Sequence, residues 1–585
     1  MFKLRQLIIV LIILLAYQTV TVAQFLDETG FTYLSSQFPN LEDGTTLQVI
    51  QVEAPVGNAY MPDPSGSQYA GKTLIDASGT NSGSSGHANT VSTRYFGNNG
   101  SLTPGISTIT FFSADDYINN QTGLSDGGDP APQLGPIQNH SWITNGLPTL
   151  LATNVLNRID YMIDRDNSLA VVGANNGAAS ATPQIFGHGY NSLSVGRTDG
   201  NHSRTDTTFN GAGRQKPEIV APGNATSFAT PVVSGAAAIL AEAAVGTPAE
   251  NTEVIKALLY AGATKKEFPN WSRNSSRPID DIYGFGEVNI FNSYRMFQSG
   301  EFDGSTAQPP SSAPLLGWDF GSIGQNETRF YTLVVTQPID EISIALVWDL
   351  EVTDSNASPT VFVPAASLAN LGLAFTDSSN GFPGPAIDFS VSEVDNQEHI
   401  YARDLQPGSY TIQVFSNVAQ EYALAWRVAE FTDVAPESLD VVRGIQESGT
   451  IEDTMVSDDS YLNMNPGFTL NESESPVWLE FETVATSGHP NGLRFEMESN
   501  VSTPNLEQTV EFYNEATDEF DVVSVGTGSF NADSVISVDY DGGDLFRYLD
   551  SNQTMRTRVS WRGVGFLINF PWTVSIDRVG WQVSE

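Results

Sequence analysis

The pattern of apolar residues changes at a Ser- and Pro-rich stretch near residue 300, and this change most constrains what the chain can fold into. Before it, short apolar runs typical of strands alternate with stretches of helical period. The strand-like runs are residues 47–52, 169–173 and 219–221, and the helical stretches are 150–163, 228–244 and 252–261. Strands that alternate with helices favour a parallel sheet covered by helices. We therefore predict an α/β domain over residues 45–298.

Beyond that stretch the helical period disappears. Residues 299–315, rich in Ser, Pro and Gly, have the composition of a linker. Short, partly alternating runs typical of antiparallel strands follow at 329–336, 342–348, 399–403, 409–415, 477–484, 492–497, 509–512 and 572–583. We predict two all-β sandwich domains, at 316–430 and 436–585.

The N-terminus is typical of an export signal. Lys3 and Arg5 precede an apolar run over residues 7–17, and residues 21–23, Thr-Val-Ala, form a cleavage site of small residues. The run is short for a membrane span. We predict a signal peptide at 1–23, an N-terminal segment at 24–44, and a secreted, extracellular or periplasmic protein. An uncleaved membrane anchor is the alternative.

Charge and cysteine content exclude several classes of function. The 585 residues include 26 Lys and Arg against 68 Asp and Glu, a formal net charge of −42. Phosphate backbones and anionic lipid surfaces repel such a chain, so we expect no nucleic-acid partner. The chain has no cysteine, which removes thiol nucleophiles, disulfides and thiolate metal sites.

One serine stands in a setting suited to nucleophilic chemistry. Residues 216–223 read Lys-Pro-Glu-Ile-Val-Ala-Pro-Gly, an apolar strand that ends at a Pro-Gly break, and Ser227 then begins an Ala-rich helical stretch. Such a turn exposes the hydroxyl, and a helix N-terminus stabilises negative charge that develops beside it. The alternative is a serine that only caps a packing helix.

This stretch resembles the nucleophile segment of the subtilisin-like serine proteases, the subtilase family. Residues 226–231, Thr-Ser-Phe-Ala-Thr-Pro, match the family's Gly-Thr-Ser-Met/Phe-Ala-x-Pro, with Ser227 as the nucleophile. The chain departs from the family pattern in two places. Ala225 stands where the family usually has glycine, and the loop that normally separates the Pro-Gly break from the nucleophile is almost absent.

The resemblance implies a histidine at the start of an upstream helix. His87 begins His-Ala-Asn-Thr-Val, which resembles the family's His-Gly-Thr-His-Val-Ala-Gly with Val91 in register. The alternative is an ordinary surface or capping histidine. The other histidines lack this context: His140, His188, His202, His399 and His489.

The oxyanion donor implied by the resemblance is an asparagine after a buried strand. Residues 169–177, Leu-Ala-Val-Val-Gly-Ala-Asn-Asn-Gly, resemble the family's strand and Ala-Gly-Asn-x-Gly segment. Register from Gly177 assigns the donor to Asn175, with Asn176 as the near alternative. An ordinary Asn-Asn-Gly turn is the non-catalytic interpretation.

The third triad member departs from the family pattern, which places an Asp at the end of the first core strand. Glu53 occupies the matching place after the apolar strand 47–52. Asp76 lies in an Ile-Asp-Ala-Ser-Gly segment closer in letters to the family motif, but too near His87 for the usual intervening strand and helix. We prefer Glu53, with Asp76, or no carboxylate at all, as alternatives. A glutamate can hold the imidazole Nδ1–H as an aspartate does.

Weaker likenesses extend the resemblance over residues 47–297 and into the β region. Those in the α/β domain are 101–106, 139–142, 185–198 and 283–289, and those resembling the sandwich domains that follow subtilase domains are 395–400 and 407–414. A generic sandwich with ordinary turns is the alternative for the last two.

Taken together, the resemblance implies a secreted serine endopeptidase that forms an acyl-enzyme on Ser227, with a Glu53/His87/Ser227 triad and Asn175 in the oxyanion hole. It implies protein or peptide substrates and no cofactor for the chemistry, while a structural calcium ion and other metal sites stay open. The β domains would bind substrate or an extracellular surface ligand, or stabilise the enzyme. From the apolar pattern we expect no membrane span after signal removal. Segment 24–44 is too short for the family's chaperone domain, so we expect no N-terminal processing beyond signal removal. A weak or inactive subtilase-fold binding protein is the alternative.

Overall fold

The computed structural model describes residues 25–144, 147–177, 184–207, 214–356, 358–471, 473–540, 545–565 and 570–584, without the side chains of 205–207. The predicted signal peptide, 1–23, lies outside the described residues. The chain divides into two compact units. Unit 1 comprises Met1–Thr336, Glu341–Arg403 and Pro407–Val428, and unit 2 comprises Gln337–Asp340, Asp404–Gln406 and Ala429–Glu585.

Unit 1 contains a seven-stranded parallel sheet in the order β2-β3-β1-β4-β5-β6-β9. Its strands are β1 Gln48–Glu53, β2 Thr73–Asp76, β3 Thr108–Ser113, β4 Ile137–His140, β5 Leu169–Gly173, β6 Leu193–Arg197 and β9 Ile219–Ala221, and a hairpin pairs β7 Thr205–Thr207 with β8 Arg214–Lys216. The central strands β4 and β5 are buried at every residue, as expected for a sheet covered on both faces. The predicted α/β fold class is confirmed.

Helices pack on this sheet. They are α1 Phe31–Gln37, α2 Gly86–Phe96, α3 Ala114–Asp116, α4 Thr149–Asp166, α5 Thr226–Ala243, α6 Thr252–Gly262 and α7 Ile290–Gln298. Helix α5 passes close over β5, because a Cβ at Gly173 would lie 2.8 Å from Thr230 Oγ1. Among the described helices, α5 alone is long and apolar enough to cross a membrane, with mean hydropathy 1.2, yet 78% of it is buried inside the fold. That burial is typical of a core helix.

The sheet brings the candidate residues to one edge. In a parallel sheet the carboxyl ends of all strands lie on the same side, and ligands bind there. Glu53 ends β1, His140 ends β4 and Gly173 ends β5. The loop after β5 therefore begins at the edge where Glu53 lies.

The β part of unit 1 packs against the helical part. Its strands are β10 Ser312–Ala313, β11 Leu316–Ile323, β12 Glu327–Val335, β14 Glu351–Asp354, β15 Pro364–Ser367, β16 Leu371–Asp377, β17 Ala386–Ser390 and β19 Gly408–Ser416, together with most of β13 Ile339–Val347, β18 Gln397–Leu405 and β20 Gln420–Val434. One sheet has the order β10-β12-β19-β16-β17; β13 lies between β18 and β20, and β11 pairs with β20. The buried Asn191 side chain accepts from the Leu350 amide at 2.8 Å. Asn396 in turn donates to the Tyr190 carbonyl at 3.0 Å.

The segment predicted as a linker, 299–315, lies within unit 1 and is partly paired with the sandwich. The Phe302 amide donates to the Trp318 carbonyl at 2.8 Å, and Ser305 exchanges hydrogen bonds with Phe330. Strand β10 pairs with β12. This segment therefore pairs with the sandwich although its composition favours neither helix nor strand.

Unit 2 is a two-sheet antiparallel sandwich. Its strands are β21 Ser438–Arg443, β22 Ile445–Ser448, β23 Leu462–Asn465, β24 Val477–Val484, β25 Gly492–Val501, β26 Leu506–Asn514, β27 Glu519–Thr527, β28 Ser534–Tyr540, β29 Thr554–Gly563 and β30 Val574–Ser584. One sheet has the order β21-β24-β29-β26-β27, and in the other β30 pairs with β23 and β25. Residues of β26 alternate between buried and half-buried, so every second side chain enters the core. The predicted β-rich half is confirmed.

Candidate active site

Glu53 and His87 form the centre of the site. Glu53 is the last residue of β1 and is fully buried, and His87 is the second residue of α2, whose first turn is capped by the Ser85 side chain. His87 Nδ1 donates to Glu53 Oε2 at 2.7 Å. This contact fixes the orientation of the ring and leaves Nε2, the nitrogen that could take a proton from a nucleophile, on the far side.

A second contact holds the other carboxylate oxygen. Gln51 Nε2 donates to Glu53 Oε1 at 2.8 Å, and the Ser92 hydroxyl donates to Gln51 Oε1 at 3.0 Å. All three side chains are buried, so each polar group needs its partner. Sequence reasoning missed Gln51 and Ser92; the available signal was a glutamine inside an otherwise apolar strand, two residues before Glu53 and on the same face.

The pair perturbs the titration of both groups. The hydrogen bond to Glu53 raises the pKa of His87 above its ordinary value of 6.5, although burial acts in the opposite direction. Burial raises the pKa of Glu53, and the hydrogen bond and charge of His87 oppose that shift. Protonated His87 is therefore stabilised by an ionised carboxylate, as a general base requires when it takes up a proton.

Burial gives two other histidines the opposite behaviour. It lowers the pKa of both His140 and His188 to about 3. His140 packs edge-on against the rings of Tyr117 and Phe186. These two imidazoles are neutral in the pH range where His87 titrates. His140 has a packing role, and His188 Nδ1 accepts from the Gln184 amide at 2.9 Å.

Ser227 is the second residue of α5 and is half-buried. Its hydroxyl donates to the Ser141 carbonyl at 3.3 Å. The ring of the next residue, Phe228, lies 6.1 Å from the His87 ring between centroids, so the first turn of α5 lies near the histidine. In the part of the chain that the structure describes, no hydrogen bond joins them. Catalytic hydrogen bonds are often long in the absence of substrate.

The two asparagines after β5 have different contacts. The backbone amide of Asn175 donates to Gln184 Oε1 at 3.0 Å and to Ser203 Oγ at 3.1 Å, which fixes the loop. Asn176 Oδ1 accepts from the Thr226 amide, the first residue of α5, at 2.9 Å. The side-chain oxygen of Asn176 is thus bound at the start of α5 while its Nδ2 can still donate, and both Asn175 and Asn176 stay candidates for the oxyanion donor.

Asp76 does not contact His87. Its carboxylate accepts from the Tyr60 hydroxyl, from the Gly79 amide at 2.9 Å and from the Asn81 amide at 3.1 Å. These bonds close the turn after β2. The structure therefore brings Glu53, and not Asp76, to the imidazole.

Part of the chain matches a known protein family. Residues 73–286 match the Subtilase family, Peptidase_S8. The resemblance found in the sequence is confirmed over that range, which includes His87, Asn175 and Ser227 and begins after Glu53. A subtilase-family domain supports serine protease function in general. No curated protein matches the chain.

Several solved structures show partial likeness. The serine protease MycP1, a component of the type VII (ESX-1) secretion system, has 13% sequence identity and a TM-score of 0.30, over 46% of this chain and 87% of that one. The CBM22-1–CBM22-2 tandem domain of Paenibacillus barcinonensis Xyn10C has 10% identity and a TM-score of 0.17, over 46% and 86%. A CBM4 structure has 12% identity and a TM-score of 0.18, over 26% and 88%.

Proposed function

We propose that this chain is a secreted serine endopeptidase that cleaves peptide bonds through an acyl-enzyme on Ser227. The observation that carries the proposal is the hydrogen bond from His87 Nδ1 to Glu53 at 2.7 Å, beside a serine in the first turn of α5. A subtilase-family match over residues 73–286 supports it.

In the proposed first step, His87 Nε2 takes the Ser227 hydroxyl proton as Oγ attacks the carbonyl carbon of the scissile bond. The hydroxyl, which donates to the Ser141 carbonyl at 3.3 Å, turns about its side-chain torsion to reach the imidazole. Glu53 holds the ring in the Nδ1–H tautomer and stabilises the imidazolium that forms. His87 then gives the proton to the leaving amine, and a water molecule hydrolyses the acyl-enzyme by the same base catalysis.

Negative charge on the tetrahedral intermediate needs hydrogen-bond donors. In the first turn of α5 the Thr226 amide donates to Asn176 Oδ1 and the Phe228 amide to the Ala225 carbonyl, whereas the Ser227 amide has no acceptor among the described residues. The helix dipole favours an anion there. We assign the Asn175 side-chain amide as a further donor, from its place after β5 at the same sheet edge. A donor of this kind contributes about 2.7–4 kcal/mol to the transition state in a related enzyme.

A glutamate replaces the family's aspartate in this proposal. Its arm is longer by one methylene, and the bond from Gln51 to its second oxygen restrains that longer arm inside the core. The carboxylate is then held on both sides, so its charge lies against Nδ1. We infer protein or peptide substrates from the chemistry of the site, and an extracellular setting from the predicted signal peptide.

Labelling with an organofluorophosphonate tests the proposal, because the reagent reacts only with an activated serine. We expect stoichiometric labelling of the full chain, cleavage of a denatured protein substrate, and loss of both in Ser227→Ala with the fold intact. A folded wild-type chain that is neither labelled nor active would overturn the proposal. It would favour the inactive binding protein, for which the departures at Ala225 and in the shortened loop are the motivating observations.

A further inference from the structure

Three carboxylates converge where the chain leaves α7 and enters the sandwich. Glu301 and Asp303 belong to the segment after α7, and Asp319 lies in β11. One carboxylate oxygen of each residue lies within 4.8 Å of the other two. Like charges repel at this spacing, so their convergence requires an explanation.

Backbone pairing holds the three side chains together. Glu301 forms a parallel bridge with Trp318, and the Phe302 amide donates to the Trp318 carbonyl at 2.8 Å. In an extended segment, residues two apart point to the same side. The side chains of Glu301 and Asp303 therefore share one side of a segment that runs beside β11.

The buried member of the cluster lacks a partner on one oxygen. Asp319 is 2% exposed. Its Oδ2 accepts from the Tyr331 hydroxyl at 2.5 Å and from the Gly304 amide at 3.0 Å. Its Oδ1 accepts from no donor among the described residues. A buried carboxylate oxygen without a donor or a cation is costly.

The basic side chain beside the cluster, Arg329, is bound to other groups. The neighbouring Arg329 donates to the Gly304 carbonyl at 3.3 Å and pairs with Glu327 at 3.2 Å. Within the described ranges, no ion pair reaches Glu301, Asp303 or Asp319. The cluster therefore holds three acidic groups and an unused buried oxygen; the charge of Arg329 acts on Asp319, but Arg329 forms no ion pair with the cluster among the described residues.

We propose that Glu301, Asp303 and Asp319 bind a calcium ion that fastens residues 301–304 to β11. Calcium takes oxygen ligands at roughly 2.3–2.6 Å, so ligands of one ion stand no more than about 5 Å apart, and the three carboxylate oxygens, all within 4.8 Å of one another, meet that requirement. Magnesium requires shorter bonds and strict octahedral geometry, and it loses its water reluctantly. Two of the three carboxylates are exposed, which leaves positions for water ligands.

The site has a structural consequence. Residues 299–315 have the composition of a flexible linker, yet they join the helical part of unit 1 to its sandwich. A cation shared by Asp303 and Asp319 closes this connection at its start. Affinity on the order of 10⁻⁴ M, typical of extracellular calcium modules, would keep the site filled outside a cell.

Calorimetric titration of Ca²⁺ into the chelator-treated full chain tests this site. We expect at least one binding event in the wild type and a rise in the midpoint of thermal unfolding with millimolar Ca²⁺. In the single variants Glu301→Gln and Asp303→Asn the affinity for Ca²⁺ should fall at least about tenfold. The variant with both changes should bind one Ca²⁺ ion fewer per chain than the wild type and show a smaller rise in the unfolding midpoint. Both residues are exposed, so these variants should fold.

Asp440→Asn, an exposed carboxylate change in unit 2, is the charge-matched control and should bind Ca²⁺ as the wild type does. Mg²⁺ at the same concentration should not reproduce the thermal shift. Equal binding stoichiometry and equal thermal shifts in the wild type and the double variant would overturn the proposal, as would a wild type that takes up no Ca²⁺. A negative result for calcium binding would leave the proposed peptidase activity untouched, because labelling at Ser227 is measured separately.

Discussion

The carboxylate beside His87 is the residue on which the proposed chemistry depends most. Glu53 is buried, its two oxygens bind different donors, and one of those donors is the imidazole. Removing the charge of Glu53 and shortening its side chain should therefore have separable effects on catalysis. Both can be tested with single substitutions at this position.

Glu53→Gln keeps the shape of the side chain and removes its charge. We expect kcat to fall by about 10⁴, the size of the comparable Asp-to-Asn effect in a serine protease triad. Glu53→Asp withdraws the carboxylate by about 1.5 Å, one C–C bond, which should break the 2.7 Å contact to His87 and also lower kcat. Steady-state kinetics on a denatured protein substrate gives both values.

Asp76→Asn is the matched control for these variants. Asp76 closes the turn after β2 and has no bond to His87, so kcat should be nearly unchanged even if the turn is weakened. Loss of activity in Asp76→Asn together with a fully active Glu53→Gln would assign the role to Asp76 instead.

The pH dependence of activity follows from the same pair. His87 accepts a proton only when neutral, and its hydrogen bond to Glu53 raises its pKa above 6.5. Activity should therefore fall as the pH drops through that raised pKa, with the midpoint above 6.5. Glu53→Gln removes the stabilising charge, so the pKa of His87 should fall and the midpoint should move to lower pH. The rate of fluorophosphonate labelling against pH measures both midpoints; an unshifted midpoint in the variant would contradict the coupling.

At the scale of the element, the start of α5 is held by a contact from the neighbouring loop. The N-cap residue Ala225 offers no side-chain acceptor. Asn176 Oδ1, from the loop after β5, takes that place by accepting from the Thr226 amide at 2.9 Å. A residue distant in sequence thus supplies the cap and sets where Ser227 stands relative to β5.

Asn176→Ala should destabilise unit 1 by about 1 kcal/mol, the usual cost of a lost N-cap, and lower kcat more than it changes KM, because the nucleophile is less well placed. Urea unfolding and steady-state kinetics measure the two effects. Asn224→Ala changes an exposed asparagine two residues before α5 and should alter neither. A stable, fully active Asn176→Ala would show that the cap has no part in positioning Ser227.

At the scale of the whole molecule, the helical part of unit 1 and its sandwich share buried contacts. Asn191 and Leu350 are joined at 2.8 Å, and Lys256 and Asp349, both buried, form an ion pair at 3.5 Å. These contacts do not depend on the covalent connection through residues 299–315. They should therefore hold the two parts together after a protease cuts that connection.

Limited proteolysis should cut first within residues 306–309, which are exposed and lie outside any strand. The two fragments should stay together during gel filtration under native conditions and separate only in denaturant, because the buried contacts persist. Denaturing electrophoresis of the native peak detects the cut. Release of a free fragment carrying His87 and Ser227 would show that the two parts are independent domains.

The resemblance to subtilases singled out His87 and Ser227, whereas local sequence determined the α/β class and the β-rich second half. The reason is physical: a helix start after a strand, and alternation of apolar residues, are properties of adjacent residues and survive without tertiary contacts. Glu53 was recognisable as a candidate because it ends a buried strand, but the choice between Glu53 and Asp76 stayed open. Both positions end strands of one sheet, and only strand order decides which one faces the imidazole.

Tertiary structure alone decided which polar groups meet across the chain. Ser92 contacts Gln51, and His87 contacts Glu53, only because the fold brings α2 against β1, and Asn176 caps α5 only because the loop after β5 reaches it. The carboxylates at 301, 303 and 319 converge through the pairing of an irregular segment with β11. Composition predicted that residues 299–315 form no regular element. It could not predict their pairing, because pairing depends on the register between segments distant in sequence, and the packing of the core sets that register.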